Sequence, residues 1–364
     1  MADQVAIAGR EATWLPALAR RSEAVVIPLV ALAAGFAIFA LFLLTQGKSP
    51  VEFLAITWKG AFGSAFSWQN TLSRAAPLLL AALCVALPAR LGLVVIGGEG
   101  AIVLGGVAVG AVGPHLGAVP AIAALPIMAL AAMAVGALWI GLAGALRQYR
   151  GVNETISSLL LAYIAISLMN HLVEGPFRDP ASLNKPSTAP LAETLRVGNI
   201  PGMDVHWGLI AGLLGCLVSW VLIDRTTWGF AARIAGGNVR TAQVQGLPVG
   251  RLILGFTALA GAFAGLAGFF EVTAVHGNAN GSLAAGYGYT GILIAFLARH
   301  NPLAIIPVAL LLAGFDAASG LIQRRMDLPD ATILVLQGFV FLAILVSDTA
   351  YGRFRLFAPE RWGR

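Results

Sequence analysis

Charge is scarce in this chain. Asp, Glu, Lys and Arg make up 11% of its 364 residues and the mean hydropathy is +0.84, whereas soluble domains carry about 25% charged residues. A water-soluble globule is excluded, because it would lack the side chains to cover its own surface. Cysteine is nearly absent. Cys84 and Cys216 lie in apolar surroundings, which rules out a disulfide framework and makes them small apolar fillers. The five histidines contain no pair at ligand spacing, so no metal site is expected. GxxxxGK(S/T), HExxH and GxSxG are all missing, which removes P-loop ATP hydrolysis, zinc proteolysis and hydrolase chemistry of the nucleophile-elbow kind. No catalytic residue and no cofactor is expected, and the chain reads as a non-enzyme. The formal net charge of +6 comes from scattered residues with no basic, aromatic-interleaved face, so nucleic acid is not an expected partner.

What is present is apolar sequence in long blocks. No Asp, Glu, Lys or Arg occurs between Gly100 and Leu146, Thr155 and Val173, Trp207 and Ile223, or Leu252 and Phe270. Blocks of this kind reach the roughly 20 residues that cross a bilayer. Ten spans are predicted, at 24–45, 73–88, 92–113, 119–146, 155–173, 207–224, 250–272, 284–299, 302–320 and 331–348. The fold class is therefore an all-α polytopic transmembrane bundle, residues 24–348, with tails at 1–23 and 349–364. The first apolar run follows Arg20 and Arg21 but has no small-x-small cleavage site, so it is read as a retained span. With the N-terminus inside, 15 of the 23 Lys and Arg residues fall on cytoplasmic segments. The positive-inside rule then puts both termini in the cytoplasm, with Arg324 and Arg325 as a local violation. Two longer external loops are expected, Gly47–Asn70 and Glu174–His206.

Small residues recur inside these blocks. Gly106 and Gly110, Gly261 and Gly265, and Gly141 with Gly144 are spaced for close helix crossings, which lipid-embedded bundles use in place of a hydrophobic drive. Four polar features stand out against the apolar background. The stretch FAARIAGGNVRTAQVQGLPVG, Phe230–Gly250, reads as short helical pieces meeting at Gly236, Gly237 and Asn238. It is either an ordinary cytoplasmic loop or a lever lying across the membrane face, with Phe230, Arg233, Arg240 and Gly246 as its other candidate residues. VVIGGEG sets Glu99 among Gly97, Gly98 and Gly100. These glycines are expected to break the third span and free amides, with Glu99 bracing the turn or lining a pathway. GYGYTG brings Tyr287 and Tyr289, either as lining of a pore entrance or as interface tyrosines. Glu154, Glu271 and Asp316 are structural or pathway acids; Glu154 opens the fifth span, with Asn153 and Thr155 as its caps.

Three stretches together, LPARLGLVVIGGEG, GVNETISSLLLAYIA and GFAARIAGGNVRTAQVQGLPVGR, resemble the permease subunits of bacterial ABC importers in the branched-chain amino acid, ribose and simple-sugar superfamily. The likeness is strongest to nucleoside importer permeases. It implies a type II-like permease fold in the bacterial cytoplasmic membrane, paired with a second related permease, ABC ATP-binding subunits and an extracytoplasmic solute-binding lipoprotein. By the same resemblance Phe230–Leu247 matches the ATPase-coupling helix, and Gly97–Gly100 matches a motif at the inner end of the pathway. Val95 and Ala101 stand where relatives often carry asparagine and glutamine. The alternative left by the residues alone is an ion-coupled secondary transporter using Glu99, Glu271 or Asp316; a scaffold that moves nothing is the bland one.

Overall fold

The computed structural model describes residues 26–348, and the two predicted tails lie outside that range. The described chain is helical, and its only extended pairings are two isolated bridges. Among the described residues, eight helices are long and apolar enough to cross a membrane. In chain order the helices are α1 (Val26–Thr45), α2 (Pro50–Phe62), α3 (Ala65–Ala89), α4 (Gly98–Val112), α5 (Ala121–Arg150), α6 (Glu154–Glu174) and α7 (Gly208–Arg225). They continue as α8 (Thr227–Gly237), α9 (Val239–Val244), α10 (Val249–Phe270), α11 (Tyr287–Leu297), α12 (Pro302–Met326) and α13 (Ala331–Asp348). The eighth and tenth predicted spans are the shorter apolar helices, at Gly281–Leu297 and Ala331–Ser347.

The chain divides into two compact units. Among the described residues, the first comprises 26–56 and 319–348. In it Gly35 lets α13 approach until a Cβ there would sit 2.7 Å from the Val340 Cα. Phe39 is fully buried, edge-on to Phe53 at 5.0 Å.

The second unit, Thr57–Ala318, is built around α3 and α10. From Leu78 to Leu87 every residue of α3 is buried, as expected for a helix that is apolar all round. Helix α10 packs on α3, α4 and α5, and small residues set how close those helices come. A Cβ on Gly261 would land on the Gly136 carbonyl, one on Gly265 on the Ala132 carbonyl, and one on Gly268 on the Ile102 carbonyl. The contact between α5 and α10 is therefore backbone against backbone, with the Thr257 hydroxyl filling the space over Gly144.

Two expectations need correction. Residues 47–70 are not a loop: α2 occupies most of them, and α3 begins at Ala65, where the Ser64 hydroxyl caps it by accepting from the Ser67 amide at 3.1 Å. Trp58, Phe62 and Trp68 pack there with tilted rings, centroids 5.3 and 4.8 Å apart, and this apolar packing stabilises the helix. The third span does not begin at 92 either. Residues 93–96 have no regular secondary structure and α4 starts at Gly98. The second long connection, between α6 and α7, is largely irregular. It is tied to the end of α10 by Thr188 to the Ala279 carbonyl at 2.9 Å, Leu191 to Gly277 at 2.8 Å and Val197 to Thr273 at 3.1 Å.

Candidate functional site

The polar residues that an apolar bundle must account for converge on the break before α4. Glu99 lies in the first turn of α4 and is 1% exposed. Its Oε1 accepts from the Gly286 amide at 2.7 Å and its Oε2 from the Gly288 amide at 2.6 Å. Those amides open α11. Gly286 reaches them in the left-handed region, φ +86°, a conformation other L-residues seldom take. Two helix N-termini thus meet at one carboxylate, which suits the positive end of each helix dipole. The glycines on both sides are steric requirements. A Cβ on Gly288 would strike the Glu99 backbone, and one on Gly100 would come within 2.8 Å of the Ala162 Cα. The junction is deep, since Gly98 sits beside Cys84 and Gly291 beside Ala81 in the buried stretch of α3.

The irregular segment that leads into the junction needs partners for its backbone polar groups. Helix α6 supplies them with side chains. Thr155 Oγ1 donates to the Val94 carbonyl at 2.9 Å, and the Ile96 amide donates to Ser158 Oγ at 3.0 Å. The Val94 amide points to Glu154 Oε1 at 3.4 Å. Residues 154, 155 and 158 share one face of α6 by helical spacing, so the rail is continuous. Glu154 is buried, with Arg147 Nε 3.4 Å from its other oxygen. Asn153 caps α6 as expected, accepting from the Thr155 and Ile156 amides at 2.9 and 3.1 Å. Thr155 does not cap: its hydroxyl is spent on Val94. Sequence reasoning missed Ser158 altogether, although its i, i+4 spacing from Glu154 was the available signal.

Tyr287 is the first residue of α11 and half-buried, and Tyr289 is 40% exposed. Tyr287 lies within electrostatic reach of Glu271, Arg74, Asp316 and Glu99, so the structure gathers three of the four candidate acids around it. Glu271 is 2% exposed and begins a π-helical turn, Glu271–His276, with its carboxylate 3.6 Å from His276 Nε2. Such wide turns interrupt a helix at a cost and commonly mark functional positions. Arg74 sits on α3, exposed, with Nε 3.4 Å from Asn70 Oδ1. An exposed guanidinium on a membrane-length helix has to face water or another protein.

The remaining candidates form a separate feature. Phe230–Gly246 folds as two helices, α8 and α9, hinged at Asn238, whose Oδ1 caps α9 by accepting from the Thr241 amide at 3.0 Å. Gly237 ends α8, and Gly246, at φ +76°, turns the chain out of the pair. Trp228, Phe230, Val239 and Val244 are 52, 62, 48 and 84% exposed, flanked by exposed Arg233 and Arg240. These exposed side chains lie outside the spans, which end at Arg225 and resume at Val249. Gly236 makes the pair's closest approach to the break, since a Cβ there would fall on the Arg90 carbonyl.

Interrupted helices meeting deep in an apolar bundle, beside a helical pair outside it, define a multi-pass membrane permease. The chain belongs to the family of branched-chain amino acid transport system permease components, whose model matches residues 67–345. It is 31% identical to a glucose ABC transporter permease protein of Haloferax volcanii, over 88% of this chain and 87% of that one. It is 29% identical to a guanosine ABC transporter permease protein of Bacillus subtilis, over 91% and 95%. A probable riboflavin import permease of Treponema pallidum shares 24% identity over 88% and 85%.

Proposed function

We propose that this chain is the membrane-spanning permease of an ATP-driven importer for a nucleoside or a related sugar-containing solute. It forms the passage, and separate ABC ATP-binding subunits bind the α8–α9 pair. The observation that carries the coupling role is a short helical pair outside the spans that exposes the apolar side chains Trp228, Phe230, Val239 and Val244 together with Arg233 and Arg240. Large apolar side chains exposed beside charged ones are what a protein partner covers. The relatives named for glucose and guanosine support the solute class, since both compounds carry a polyhydroxylated ring. A second related permease and an extracytoplasmic solute-binding lipoprotein complete the assembly in the bacterial cytoplasmic membrane, with both termini of this chain in the cytoplasm. Gly97–Gly100, Tyr287 and Tyr289 form the gate, with Glu271 and Asp316 beside the pathway.

The test is reconstitution with the ATP-binding subunits, the partner permease and the binding protein in sealed vesicles. ATP without an ion gradient is expected to drive uptake of labelled nucleoside, with glucose as the competing candidate. Arg240→Asp is expected to abolish solute-stimulated ATPase activity while leaving the size-exclusion profile of the chain unchanged. The buried pairing of Glu271 with His276 at 3.6 Å favours one rival, an ion-coupled carrier. Uptake driven by a proton or sodium gradient in vesicles holding this chain alone would establish that rival.

A further inference from the structure

Residues 90–99 grip α11 at both ends. At its start Glu99 accepts from the Gly286 and Gly288 amides. Past its end Arg90 Nη2 donates to the His300 carbonyl at 3.0 Å. The signs match the helix dipole, anion at the amino end and cation at the carboxyl end. The turn that Arg90 holds is one that needs holding: Arg299 and His300 are consecutive non-glycine residues at φ +50° and +55°, a conformation maintained only by its surroundings.

The same short segment also meets α8. Gly92, at φ +72°, faces the Gly236 carbonyl, a Cβ there standing 3.3 Å away, and Gly236 in turn has no room for a Cβ against Arg90 and Leu91. The Arg90 side chain is half-buried within reach of Asp224 and Arg233, which pair with each other at 3.0 Å where α7 gives way to α8. Its Nε is buried and unpartnered, so the His300 carbonyl is what orients the guanidinium. A displacement of α8 thus presses on a segment whose Glu99 and Arg90 side chains are hydrogen-bonded to the start of α11 and to the turn that follows it.

We propose that Arg90 is a positioning residue that makes α11 follow α8, so that residues 90–99 and α11 shift together when the α8–α9 pair moves. The role rests on the importer reading for what moves α8; the linkage from α8 to α11 stands on the geometry alone.

Two measurements separate these. In the full chain in lipid nanodiscs, Arg90→Met is expected to raise amide hydrogen exchange across residues 286–300 about tenfold, the order that one lost charge-assisted hydrogen bond produces. Exchange in α10 should stay unchanged, and Arg90→Lys should restore part of the protection. If Arg90→Met does not assemble, Gly236→Ala, which presses a methyl onto the Arg90 carbonyl, carries the same expectation. Unchanged exchange at 286–300 in the assembled variant overturns the linkage. In the reconstituted importer, Arg90→Met is expected to cut uptake about tenfold while ATP hydrolysis continues, so more ATP is consumed per solute. Uptake and hydrolysis that fall in proportion, or do not fall, overturn the positioning role. A wild-type assembly without ATP-driven uptake sinks the importer reading instead, and the exchange result still decides whether Arg90 ties the two helices.

Discussion

The contact between α5 and α10 and the strap around α11 are both buried and both glycine-rich, yet they are held by different physics. Where α5 meets α10, the backbones of Gly136, Gly261 and Gly265 touch directly. Nothing there is charged, and the cohesion is dispersion across many close atom pairs. Around α11, Glu99 and Arg90 hold backbone amides and a carbonyl by a few directed hydrogen bonds. The first arrangement has one satisfactory geometry, because any slide separates the surfaces. The second can release and re-form as a unit if water or another donor enters. A permease needs both, a frame that does not yield and an element that can, and this comparison indicates which is which.

Substitutions at four positions test that division, in order of expected effect on stability. Gly136→Leu puts a side chain onto the Gly261 carbonyl, where overpacking costs about 1–3 kcal/mol or more. The chain is expected to lose its monodisperse size-exclusion peak, and a well-behaved variant with unchanged thermal stability would show that the frame is not rigid there. Glu99→Ala leaves the Gly286 and Gly288 amides unsatisfied, at about 1–3 kcal/mol each. The chain should still assemble, with lowered thermal stability and abolished transport, and Glu99→Gln should fall between. Ser158→Ala, which removes a single acceptor from the rail, should cost about 1 kcal/mol. If the alanine at 99 were as stable as wild type, the carboxylate would not be what holds α11. Gly141→Ala should be neutral or slightly stabilising. Its Cβ would meet only Ala258 at ordinary contact distance, 3.8 Å, and alanine gains about 0.5–1 kcal/mol over glycine within a helix. A marked loss at 141 would mean that the close approach of α5 and α10 extends further than Gly136 and Gly144.

Much of this was legible because its causes are local. The apolar blocks, the break at Gly97 and Gly98, the hinge at Asn238 and the cap at Asn153 each follow from residues within one turn of where they act. Gly261 and Gly265 announced a close crossing by their spacing, though not that α5 was the partner. The Thr155 hydroxyl serves Val94 instead of its own helix, and residues 50–62 form a helix because Trp58 and Phe62 pack together and Phe62 meets Trp68 of α3, contacts that no connector-like run announces.

By itself the sequence determined the solvent, the helical class and the places where helices stop, since backbone hydrogen bonds in lipid have to close within a few residues and glycine or asparagine decides where they do not. Only the tertiary structure decided which groups those breaks serve. Glu99 finds its amides at Gly286 and Gly288, Val94 finds Thr155, and Arg90 finds His300. Each pair is far apart in the chain, and a buried donor is matched to its acceptor by how the helices pack, a quantity that no local stretch encodes.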